Sequence, residues 1–105
     1  MKEVLFIGSN MTLGDTVDLM KSEDYKARFK AEYYQTKIRY EKLHAFNIRI
    51  DAANMTKRVF RSETYNPVEI PKHDCPDHLL DQQESVMKEY LNILEKRAVI
   101  EGIEL

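Results

Sequence analysis

Cysteine occurs once in the 105 residues, so no disulfide can close within the chain. A lone thiol fits a reducing compartment. Glycine and proline occur three times each, and tryptophan is absent, which leaves little punctuation for long loops. Long apolar runs are missing too. Val4 to Ile7 is a run of four, whereas a signal peptide needs a core of about 7–15 residues and a membrane helix about 20. Positive charge is not in excess: sixteen basic against eighteen acidic residues give a net charge of −2. No bulk field is available to hold duplex nucleic acid. No Gly-rich phosphate loop, GxSxG or HExxH occurs, so catalysis is not expected, and neither is a cofactor. A soluble protein of a reducing cytoplasm, a single domain with no membrane partner, is the expectation.

What is present is helix. Tyr25, Phe29, Tyr33, Thr36, Tyr40, Leu43, Asn47 and Ile50 recur at steps of three and four, a heptad-like seam. This predicts a first long helix over residues 22–52, with Ser22 as a cap candidate and Glu23 and Asp24 at its positive end. A second stripe of mostly small residues, Ala27, Ala31, Tyr34, Ile38 and Ala45, lies nearly opposite. A helix apolar on two sides is buried on two sides. One side can meet the partner of a hairpin, and the other needs the N-terminal arm or another subunit.

A second helix is predicted over residues 75–102, with Pro76 in its first turn and Gly102 at its end. Leu79, Val86, Tyr90, Ile93, Arg97 and Ile100 form one stripe. Leu80, Met87, Leu91, Leu94 and Ala98 form the next. Together they span roughly half the circumference, more than the 100° or so that one partner needs. Val86, Ile93 and Ile100 are expected to close the hairpin against Phe29, Leu43 and Ile50. That leaves Leu80, Met87, Leu91 and Leu94 for another copy. A homo-oligomer follows.

Between the helices, residues 53–74 form a connection with strand character at Val59-Phe60 and Val68-Glu69-Ile70. Residues 1–21 form an N-terminal arm. There Val4–Ile7 reads as a strand or as an apolar arm docking on a neighbour, and Asp15 caps a helical turn. The fold class is therefore mainly α, a long antiparallel helical hairpin with a short N-terminal helix, and a small β element remains open to the arm and the connection.

Chemistry is sparser. His73, Cys75 and His78 have the donor types for a metal, but no second Cys/His cluster accompanies them. A loop leading into a helix is the plainer reading, and no metal site is assigned. Arg97 is a lone cation on an apolar stripe. It needs a carboxylate across the hairpin, Glu32 or Glu41, or a path for its side chain to snorkel to water, or a phosphate from outside for its planar donor fork. Arg58, Phe60 and Arg61 make a basic–aromatic–basic loop of the kind that suits a nucleotide. Tyrosine packs as an apolar body, yet Tyr33 and Tyr40 could also stack on bases, at about 1–3 kcal/mol per base. The candidate ligand residues are thus Tyr33, Tyr40, Arg58, Phe60, Arg61 and Arg97.

The run Lys30 to Leu43 (KAEYYQTKIRYEKL), with Cys75-Pro76, Leu79-Leu80, Gln83, Met87, Tyr90-Leu91, Ile93-Leu94-Glu95, Arg97-Ala98 and Ile100 to Ile103, resembles a family of small tailed-phage proteins related to a crAss-like phage protein. The two-helix layout is similar, more loosely, to the anti-CBASS and anti-Thoeris sponge proteins of phages. Those are oligomers that sequester cyclic nucleotide immune signals without hydrolysis. The resemblance implies a counter-defence protein that sequesters a cyclic or ADP-ribose-type nucleotide. Its alternatives are a protein–protein inhibitor of the anti-CRISPR kind, using the acidic face at Asp81, Glu84, Glu89 and Glu95, and a structural phage accessory protein.

Overall fold

The computed structural model describes residues 11–58 and 69–105, with the side chains of Lys57 and Arg58 left aside. The arm Val4–Ile7, the strand candidates Val59-Phe60 and Val68, and the site candidates Phe60 and Arg61 lie outside these residues.

Thr12 opens the described chain as a reciprocal cap. Its hydroxyl accepts from the Asp15 N–H, and the Asp15 carboxylate accepts from the Thr12 N–H at 2.9 Å. Thr12, rather than Asp15, is therefore the N-cap, because a threonine followed three residues on by an acid satisfies two orphan donors at once. A 3₁₀ turn over Leu13–Thr16 leads into α1, Val17–Lys21.

Asp24 starts the next helix. Its carboxylate accepts from the Lys26 N–H at 3.2 Å and its carbonyl from the Arg28 N–H at 3.1 Å. That helix, α2, runs Tyr25–Arg58, beyond the expected end at Ala52. Strong helix formers predominate and neither glycine nor proline interrupts it. At 1.5 Å per residue its 34 residues span about 51 Å, most of the 57 Å long axis.

The last helix, α3, runs Asp77–Glu101. Pro76 stands just before it, its carbonyl accepting from the Leu79 N–H at 3.1 Å, and Asp77 supplies an acid to the first turn. Gly102 ends it at φ 71, a left-handed conformation that costs glycine little. The turn brings the Ile103 N–H to the Ala98 carbonyl at 2.8 Å and buries the Ile103 side chain.

The contacts of α2 with α3 are antiparallel: Tyr25 meets Glu101, Tyr33 meets Glu95, and Asn47 meets Glu84 and Leu80. This is the expected hairpin. On its other side α2 receives the N-terminal elements, where Gln35 donates to the buried Thr16 hydroxyl at 2.8 Å. Ala31 and Ile38, a turn to either side, are buried. Among the described residues there is no strand. Glu69 and Ile70, expected to have strand character, are irregular. The adjoining Pro71 has no N–H to give to a ladder.

The core joins Phe29, Tyr33 and Tyr34 of α2 to Leu91, Leu94 and Ala98 of α3, with Ile103 folded in behind. This reverses the expected use of the two α3 stripes. Leu91, Leu94 and Ala98 close the hairpin, and Val86, Ile93 and Ile100 face outward. Two features select this rotation. Ala98 is small enough to admit the aromatic side chains of α2, and Arg97 would be buried if its stripe faced inward.

Candidate functional site

The hairpin's open end joins the start of α2 to the end of α3. Glu101 gathers two donors there. The Tyr25 hydroxyl donates to its Oε1 at 2.7 Å, and Arg97 grips both oxygens, Nε to Oε2 at 2.7 Å and Nη2 to Oε1 at 3.2 Å. The Arg97 guanidinium also lies over the Phe29 ring, 4.9 Å from its centroid, within cation–π range.

Each partner holds the other's charge. The bond from Arg97, followed by that from Tyr25, lowers the pKa of Glu101 below its ordinary value. The bond to Glu101 raises that of Arg97, with Glu32 a lesser contributor. The bond to Glu101 likewise pushes the Tyr25 phenol up. The expected partners of Arg97, Glu32 and Glu41, thus give way to Glu101, one turn along the same helix. Side chains four apart on a helix face each other, and the rotation of α3 leaves Arg97 half exposed beside Glu101.

A guanidinium has five N–H donors. The two bonds to Glu101 leave others without a partner among the described residues. An exposed ion pair contributes little to stability, so a phosphate could take the place of the carboxylate at small cost. The Lys26 ammonium lies near Gly102 and adds a second cation to this end.

A second polar cluster lies midway along the hairpin. Asn47, 4% exposed, donates to Glu84 Oε1 at 2.8 Å and to the Leu80 carbonyl at 3.2 Å. His44 Nδ1 lies 2.5 Å from Glu84 Oε2, and the Tyr40 ring stacks on the His44 ring, their centroids 6.0 Å apart. Burial pushes the Glu84 carboxyl up, but the bonds from Asn47 and His44 outweigh it, and the pKa lies below its ordinary value.

The sequence-predicted residues do not all meet. Tyr33 is buried, its hydroxyl donating to Glu95 at 2.7 Å and its ring edge-to-face with Tyr34. Burial, then the bond to Glu95, raises its pKa. Tyr40 packs against the core from its edge. Tyr33 and Arg97 lie at the open end, with Tyr40 further along. Arg58 is the last residue of α2, about 38 Å along the helix axis from Tyr33.

Of the acidic face, Glu84 and Glu95 turn to α2, while Asp81 and Glu89 remain exposed. His73 pairs with Asp77 at 3.1 Å and lies edge-to-face with Phe46, and His78 is exposed. Among the described residues no three metal-ligating side chains gather, and no helix is long and apolar enough to cross a membrane.

Tyr25 and Lys26 escaped the sequence reading as site residues. The available signal was the antiparallel hairpin itself, which brings the start of α2 to the end of α3.

Residues 23–100 match the model of a family described as Sequestin, a span that takes in all of α2 and all but the last residue of α3. No curated protein and no solved structure matches the chain.

Proposed function

The chain belongs to the Sequestin family, and from that premise we propose that it is a phage counter-defence protein that binds and sequesters a cyclic or ADP-ribose-type signal nucleotide. The family's name, Sequestin, suggests sequestration, a mode of action that needs a binding surface and no catalytic group. The observation that carries the choice of ligand is the Arg97 fork at the open end. It is a bidentate donor over the Phe29 ring, and its present partner is a partly exposed carboxylate one turn along the same helix.

Phosphate oxygens present the same paired acceptors as a carboxylate, and Lys26 reinforces the charge. The half-exposed Tyr25 offers a ring face at the same end for a base. On this reading the ligand is held and leaves unchanged.

The test is a melting-temperature panel of cyclic dinucleotides, cyclic ADP-ribose isomers and ADP-ribose at millimolar concentration. A bound ligand stabilises in proportion to the logarithm of its excess over Kd. A rise with at least one member is expected. No rise with any would sink the proposal.

A further inference from the structure

Among the described residues, nothing covers the outer stripe of α3. Leu79, Val86, Ile93 and Ile100 are 46%, 56%, 49% and 81% exposed. They recur every seven residues, and Gln83, Tyr90 and Arg97 fall between them. That is a heptad seam of three repeats, about 32 Å long. The one charge within it is turned aside, since the Arg97 guanidinium leans onto Phe29 and Glu101 of its own protomer.

We infer that this seam pairs with the same seam of a second copy, antiparallel, about a two-fold axis near Leu91 and Asn92. The spacing fits a helix with the same period, and the flanking charges choose the orientation. Glu89 and Lys96, both exposed, are seven residues apart on the flank away from α2. An antiparallel pair brings like flanks together, so Glu89 of each copy meets Lys96 of the other, twice per dimer. A parallel pair would set that flank against the Met87 and Leu94 side, which packs toward α2, and would stack Arg97 on Arg97. The interface is isologous, as two-fold contacts are, and its argument is independent of the ligand reading.

Light scattering of the full chain should give twice the 12.4 kDa protomer mass. Ile93→Asp should give the protomer mass with an unchanged helical circular-dichroism spectrum, because Ile93 does not pack in the hairpin core. Glu89→Lys should raise the dissociation constant several-fold, and Glu89→Lys with Lys96→Glu should restore it, since the swap is again self-complementary. In a Cys75→Ser background, Glu89→Cys and Lys96→Cys proteins should form a disulfide-linked species when mixed and none when separate.

Cross-links in each variant alone but not in the mixture would overturn the antiparallel register. A monomeric mass at every concentration would overturn the pairing itself and assign the seam to another cover, such as the run Val4–Ile7 of the same chain. Either failure leaves the nucleotide melting panel untouched, so the two ideas fall separately.

Discussion

Replacing Glu84 with alanine removes the acceptor that ties α2 to α3 at mid-hairpin. The Asn47 amide is almost fully buried and donates to Glu84 at 2.8 Å. A hydrogen bond to a charged group contributes about 1.5–3 kcal/mol. The Glu84 side chain is 20% exposed and His44 is half exposed, so the histidine bond counts as a surface pair of at most about 1 kcal/mol. The combined loss is about 1.5–4 kcal/mol at pH 7, or roughly 6–16 °C in Tm for a domain of this size.

The pH dependence follows from the direction of the Glu84 shift. Its folded pKa lies below its ordinary value, so the stabilisation is complete above the ordinary carboxylate range and is lost as pH falls through the folded pKa. His44 on α2 and Lys88 on α3 are the titratable groups facing it. Melts of the wild type and Glu84→Ala at pH 7 and pH 3, at one protein concentration, give the comparison. The gap should shrink at pH 3, and a double-mutant cycle with Asn47→Ala should show coupling of about 1 kcal/mol or more. A gap under about 2 °C at pH 7, or the same gap at both pH values, would refute the reasoning.

Three further substitutions separate core, turn and ligand. Leu94→Ala empties a site that is 1% exposed and should cost about 2–5 kcal/mol by denaturant unfolding. Gly102→Ala should cost about 1 kcal/mol from its positive φ, because the added Cβ meets only the Lys26 ammonium at 3.9 Å. Arg97→Ala should leave the melt without ligand nearly unchanged and weaken nucleotide binding at least tenfold in a titration. An equal loss of stability and of binding would assign Arg97 to the fold alone.

The two helices and their antiparallel pairing were legible in the spacing of Tyr25 to Ile50 and of Leu79 to Ile100, since periodicity reports burial directly. The rotation of α3 was not. Its two apolar stripes are adjacent and similar, and only the fit of Ala98 to the aromatic side chains and the position of Arg97 distinguish them. The pairing of Arg97 with Glu101 was missed for the same reason. With Arg97 placed at the hairpin interface, carboxylates on α2 are its neighbours. Rotated outward, its own helix supplies the nearer one. The candidate ligand residues mixed two ends of a long hairpin because sequence shows that Arg58 and Arg97 are both basic but not that the hairpin holds them apart. In the sequence Glu84 belongs to the acidic face, and only the structure shows Asn47 reaching it.

Sequestration is tested most directly by titrating the purified protein calorimetrically with the cyclic and ADP-ribose-type nucleotides, then heating the complex and identifying what is released. Saturable binding of at least one member is expected, lost in Arg97→Ala, with that nucleotide recovered chemically intact. Absence of binding across the panel, or release of a converted product, would contradict it.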